Sequence, residues 1–204
     1  HCTIIKYSKY KMHISEIIKK NIHESLEVSK NSGERLVSQI ESAASKIINI
    51  IDNSGKLLSC GNGGSSGDAQ HIVSELVNRF EKERREVAAV SLNSDTATIT
   101  SIANDYDYKY IFSKQINAIG KKEDLLVTFT TSGSSPNICE AICSAQKIKI
   151  PIILITGKDG GNASKLLKKD DIEIRVPSNR TSRIQEIHLI IIHSICECVD
   201  AHLS

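Results

Sequence analysis

The sequence predicts an α/β protein: a five-stranded parallel sheet flanked by helices, with N-terminal helices before it and a long C-terminal helix after it. Three observations predict it. Five short apolar runs recur between residues 56 and 176, each bounded by turn residues. The stretches between them are long enough for the helical crossovers that parallel strands require. Glycine, serine and threonine collect after the runs, at the strand ends where an open parallel sheet holds its ligand.

Before the sheet, Ile14, Ile17, Ile18 and Ile22, then Leu36, Ile40, Ala43, Ile47, Ile48 and Ile51 recur at helical spacing over residues 12–52. They read as two helices broken near Asn31-Ser32-Gly33. The strands follow as KLLSC (56–60), VAAVSL (87–92), DLLVTFT (124–130), PIILIT (151–156) and DIEIRV (171–176). Crossover helices fit into 65–80, 95–119, 135–147 and 161–169. The last segment, 180–202, is apolar around too much of its circumference for a free surface helix and is expected to be buried, plausibly between subunits.

At 204 residues the chain suits one domain, with about 70 % of its unfolded surface buried. The expected division is a single domain over 12–204, with a helical segment at 12–52 and an α/β core and terminal helix at 53–204. Met12 is the only methionine, so residues 1–11 are expected to be a non-native or disordered leader. A net charge of +2, with Lys and Arg interspersed among Asp and Glu, argues against a nucleic-acid binder. No apolar run approaches the roughly 20 residues of a membrane span, and the start is no signal peptide. A cytoplasmic protein with no membrane partner is expected. The six cysteines (Cys2, Cys60, Cys139, Cys143, Cys196, Cys198) lie in or beside apolar segments without framework spacing, as reduced thiols do. Cys196 and Cys198 could bind metal, but core packing is the expected role.

The first loop, Cys60-Gly61-Asn62-Gly63-Gly64-Ser65-Ser66-Gly67-Asp68, turns into a helix and aims backbone N–H groups at an anion. It lacks the Gly-Lys-Ser/Thr of a nucleotide loop and the GxGxxG dinucleotide spacing. After the third strand, Thr130-Thr131-Ser132-Gly133-Ser134-Ser135-Pro136-Asn137 offers hydroxyl and backbone donors, with a proline suited to the first helical turn. Two such loops at one sheet edge point to a phosphate-sized ligand.

SCGNGGSSGDAQH, SIANDYDYKYIF, TFTTSGSSPN, TGKDGG and RIQEIHLIIIH, in this order, resemble the successive signatures of sugar isomerase (SIS) domains, a flavodoxin-like family, in the phosphoheptose isomerase branch. The likeness runs from about Lys56 to Leu203. It implies that Ser65, Thr130, Thr131, Ser132 and Ser135 surround a substrate phosphate, while Asn62, Gly63, Gly64, Asn104 and Asp105 line the sugar site. Ser66 stands where some members have His, and Ser182 where some have an acid that helps position substrate.

Past the glycine loop, His71 and Glu75 are four residues apart, on one helix face, and could share a divalent metal; a surface ion pair is the plainer reading of that spacing alone. In the terminal helix Gln185, Glu186, His188 and His193 interrupt an apolar surface. The resemblance assigns Gln185 and His193 to the site, joining His71 and Glu75 around one zinc ion, with Gln185 also touching substrate. Residues 185 and 193 would lie about 12 Å apart along a helix and about 80° around it. One ion would then be reached at full side-chain extension, or the ligands would come from different chains. The implied reaction converts D-sedoheptulose 7-phosphate to D-glycero-D-manno-heptose 7-phosphate through an enediolate, for surface-polysaccharide heptose. Glu75 would be the base and His193 its acid/base partner, with no organic cofactor. A homo-oligomer, in particular a tetramer, is implied too. Two rival readings remain: a non-catalytic SIS adaptor that binds the bacterial replication initiator, and a module that senses sugar phosphates without turning them over.

Overall fold

A computed structural model describes the backbone of residues 2–204 and the side chains of residues 13–204. Two helices, α1 (Cys2–Arg35) and α2 (Val37–Asp52), precede β1 (Leu57–Gly61) and α3 (Gly64–Val77). The chain continues through β2 (Ala89–Ser91), α4 (Thr96–Asp105), a 3₁₀ turn (Tyr108–Tyr110), α5 (Ser113–Ile119) and β3 (Leu125–Phe129). It ends with α6 (Pro136–Ile148), β4 (Ile152–Thr156), α7 (Gly161–Leu166), β5 (Ile172–Arg175) and α8 (Thr181–Leu203). All five predicted strands form. Residues 1–11, expected to be a leader, have side chains outside the described set.

The strands pair in parallel in the order β2-β1-β3-β4-β5. The order reverses between β1 and β3, so the loops leaving these two strands border one crevice. Every residue of β1, β3 and β4 is buried. Leu57, Leu125, Val127, Phe129, Ile153, Ile155 and Ile174 face a layer made by α2, α3 and α8. Leu58, Cys60, Leu126, Ile152 and Leu154 face the opposite layer, with residues of α5 and α6. Period-two alternation thus sends apolar groups to two cores.

The first helix does not break at Asn31-Ser32-Gly33, as the sequence suggests, but continues to Arg35. Ser32 returns its hydroxyl to the Val28 carbonyl at 2.7 Å, so its polar group is satisfied within the helix. The turn comes at Leu36, whose side chain is buried in the core beneath α2. Tertiary burial outweighs the local turn signal. The predicted 95–119 crossover is divided into α4, the 3₁₀ turn and α5, with Asp107 accepting from the Lys109 N–H at 2.8 Å.

Helix α8 packs against α1, α2 and α3. It buries Ile184, Ile187, Ile191, Ile192, Ile195, Cys196 and Val199, while Leu189 and Ile190 stay exposed. Among the described residues no helix is long and apolar enough to cross a membrane.

Candidate active site

The crevice between β1 and β3 is framed by amides. The Asn93 side chain accepts from the Gly61 N–H at 3.1 Å and donates to the Gly61 carbonyl at 2.9 Å, clamping the end of β1. Asn62 and Asn137 exchange two hydrogen bonds of 2.8 Å, tying the β1 loop to the first turn of α6. Asn62, Asp107, Tyr108, Lys109, Ser135, Pro136 and Asn137 line a cleft of about 510 Å³ here. Ser65 is buried at the start of α3, where its N–H reaches the Asn62 carbonyl at 3.0 Å.

The hydroxyl-rich loop is shaped by close backbone approach. Gly133 has φ of +64°, and a Cβ there would stand 1.9 Å from the Gly160 carbonyl oxygen. Its N–H donates to Thr130 Oγ1 at 3.1 Å, and its carbonyl accepts from the Ala163 N–H at 2.8 Å. The loop after β4 therefore supports the loop after β3. Thr131, Ser132 and Ser135 are half-buried, and Pro136 opens α6, so this helix end can add its dipole to the hydroxyl donors.

Helices α3 and α8 run side by side in the same direction. A Cβ on Gly64 would lie 2.2 Å from Gln185 Nε2, so the missing side chain admits the glutamine. Farther along, the buried His188 places Nδ1 3.6 Å from Asp68 Oδ2 and Nε2 3.2 Å from the Thr156 carbonyl oxygen. Farther still, His71 Nε2 is 3.0 Å from Glu75 Oε1 and 3.4 Å from His193 Nε2. Phe80 stacks on the His193 ring, with centroids 5.3 Å apart and planes 23° apart. Behind Glu75, burial foremost and then the Glu75 and Asp200 carboxylates push the Cys196 thiol up to about 12. It remains a protonated core group.

His71, Glu75 and His193 are therefore brought together, and Gln185 sits near the glycine loop. About two helical turns separate the positions of Gly64 and His71 on α3, so Gln185 and the trio occupy two stations along one helix pair. Asn62, Ser135 and the glycine loop meet at the crevice, whereas Asp105 lines a different cleft, with Asp95, Thr98 and Lys114. Asn104 donates to Asp105 at 2.9 Å. Glu186 is occupied by Ser25 at 2.7 Å and Arg183 at 2.6 Å, joining α8 to α1. Sequence reasoning missed Asn93, Tyr108 and Phe80 as neighbours of the site. Asn93 had a signal, since it follows a strand at the ligand edge, and Tyr108 lies within the SIANDYDYKYIF motif.

The trio has the chemistry of a zinc site: two imidazoles and a carboxylate. Bonds of about 2.0–2.1 Å place tetrahedral neighbours about 3.3 Å apart, close to the 3.0 and 3.4 Å edges found. The three side chains are paired with one another as they stand. Among the described residues no three His, Cys, Asp or Glu groups surround a single ion-sized point.

The crevice at the strand reversal, with its hydroxyl loop, is the arrangement expected of a sugar isomerase domain, and the SIS domain family profile matches residues 20–157. A phosphoheptose isomerase of Alteromonas mediterranea is 49 % identical over 92 % of this chain and 95 % of its own length. One of Colwellia psychrerythraea is 51 % identical, over 92 % and 96 %. The solved structure of a phosphoheptose isomerase from Francisella tularensis superposes with a TM-score of 0.89 at 39 % identity, covering 91 % of this chain and 97 % of that one. The chain belongs to the phosphoheptose isomerase family of SIS-domain proteins.

Proposed function

We propose that this chain is an aldose–ketose isomerase that converts D-sedoheptulose 7-phosphate to D-glycero-D-manno-heptose 7-phosphate, supplying heptose for surface polysaccharide. The observation that carries the reading is the convergence of the Glu75 carboxylate and the His193 imidazole on His71, on helices whose other station adjoins the glycine loop. Thr130, Thr131, Ser132 and Ser135, with Ser65, hold the phosphate through hydroxyl and backbone donors. Asn62, Gly63, Gly64 and Gln185 are the proposed contacts to the sugar; Asp105, which the resemblance also places there with Asn104, lines a different cleft.

Isomerisation removes a proton from a carbon beside a carbonyl and returns one to the neighbouring carbon. Glu75 takes the carbon-bound proton, and His193 exchanges protons with the substrate oxygens as charge develops on the enediolate. His71 orients both through its contacts. Of the four zinc ligands that the resemblance implies, His71, Glu75 and His193 lie together and would hold the ion, whereas Gln185 sits at the other station, against Gly64. When bound, the ion would supply Lewis-acid polarisation of the substrate oxygens. A homotetramer is the proposed assembly, supported by the exposed Ile14, Ile17, Ile18, Ile22 and Leu26 along α1. The proposed compartment is the cytoplasm, where thiols stay reduced; the five described cysteines are free.

The test is incubation with sedoheptulose 7-phosphate in D2O, with and without added zinc, followed by NMR. Aldose formation with deuterium uptake at the reacting carbon supports the reading. Binding without exchange overturns it in favour of a regulatory or adaptor SIS protein.

A further inference from the structure

The acid–base station has a neighbour that the chemistry above leaves unused. Among the described residues, the only hydrogen-bond contact of the His193 ring is Nε2 to His71 Nε2 at 3.4 Å. Contact at one atom leaves an imidazole free to turn about the bond that carries it. The flat face of Phe80, 5.3 Å from the His193 ring centre and tilted only 23°, restricts that turn.

Phe80 lies between α3 and β2, outside any regular element, yet its backbone is held firmly. Asp200 near the end of α8 accepts from the N–H groups of Glu81 at 2.7 Å and Lys82 at 2.8 Å, and from Arg84 Nε at 2.9 Å. The Arg84 and Asp200 side chains are 0 % and 1 % exposed. Arg84 spends its remaining donors on carbonyls, those of Glu75 at 2.6 Å, Leu76 at 2.8 Å, Asn78 at 3.1 Å and Arg85 at 2.9 Å. It thereby satisfies the last turn of the helix that carries Glu75. A buried ion pair contributes little net stability once desolvation is counted. What this one fixes is geometry: a single carboxylate on the His193 helix anchors both the Phe80 segment and the end of the Glu75 helix.

We propose that Phe80, held by the Arg84–Asp200 pair, is a positioning residue for His193, fixing the imidazole plane so that Nε2 faces His71 and Glu75. The proposal rests on the isomerase reading of this site. The experiment compares the full chain with Phe80→Leu, Phe80→Met and Phe80→Tyr. It measures kcat and KM on sedoheptulose 7-phosphate, and the His193 Cε1–H shift by NMR without substrate. Leu and Met keep apolar volume without a flat face, and Met stands in should the Leu variant fold poorly.

Misplacement of a reacting group by about 1 Å can cost on the order of 100-fold, so kcat should fall about 10- to 100-fold in the Leu and Met variants with KM nearly unchanged. Tyr should restore kcat. The His193 resonance should move downfield when the ring current of Phe80 is removed and stay in place with Tyr. Unchanged kcat in the Leu and Met variants, or a Tyr variant as slow as they are, overturns the proposal while the isomerase reading stands. A wild-type chain that turns over no substrate overturns the isomerase reading instead; the ring shift then decides whether Phe80 sets the imidazole, and an unmoved resonance overturns that as well.

Discussion

Glu75 Oε1 and His193 Nε2 both approach one nitrogen, His71 Nε2, at 3.0 and 3.4 Å, which sets the proposed base beside its proposed acid/base partner. General acid–base groups contribute roughly 10²–10⁴-fold to rate. Glu75→Gln and His193→Gln should therefore each lower kcat by about that factor while leaving the circular dichroism spectrum unchanged; wild-type rates in both would remove the assignment. The hydroxyl loop makes a different prediction. Ser132→Ala combined with Ser135→Ala should raise KM, because each lost hydrogen bond to a charged phosphate costs about 1 kcal/mol or more. An unchanged KM would move the phosphate elsewhere. The spacing of His71 and Glu75 was legible from the sequence, because helical geometry alone puts residues four apart on one face. That His193 joins them, and that Gln185 sits farther back against Gly64, depends on how α8 lies along α3, which no local rule specifies.

The loops and helix ends hold the stations in place. At Gly133 the positive φ and the 1.9 Å approach of a notional Cβ to the Gly160 carbonyl leave no room for a side chain. Gly133→Ala should lower Tm and raise KM together, since strain and displacement act on the same loop; a rise in neither would show that the two loops can separate freely. The 79–86 segment gives a pH prediction. Burial alone would push the Asp200 carboxyl up, but the N–H groups of Lys82 and Glu81 and the Arg84 guanidinium hold it below the ordinary aspartate range. A carboxyl depressed in the folded state adds stability that is present above its unfolded value, about 3.9, and is lost as pH falls through the folded value. Thermal denaturation should show Tm declining below about pH 4, with Asp200→Asn losing less over that interval than wild type. Equal losses would assign the acid sensitivity to other carboxylates. Element positions were legible because period-two and helical repeats survive in the sequence. The Asn31-Ser32-Gly33 break was misplaced because burial of Leu36 decided where the chain turns.

Across the whole molecule, both faces of the sheet are covered, yet Ile14, Ile17, Ile18, Ile22 and Leu26 on α1 and Leu189 and Ile190 on α8 remain exposed. A long apolar stripe left in water is the surface that a second copy of the chain would bury. Light scattering of the purified chain should give a mass above that of one protomer, and Ile18→Glu with Ile22→Glu should lower it; a monomeric wild type would exclude the tetramer. By itself the sequence determined the class of the sheet, the five strands, the positions of the two loops proposed to hold the phosphate and the His71–Glu75 pair. Each of these follows from contacts between near neighbours in the chain, or from residue types that a turn demands. Only the tertiary structure decided the strand reversal between β1 and β3, the Asn62–Asn137 bridge, the meeting of His193 with His71 and the support of Phe80 by Asp200. The last three contacts join residues 75 to 122 positions apart, and it is the packing of α8 against α3 and the sheet, not any local preference, that brings His193 to His71 and Asp200 to the Phe80 segment.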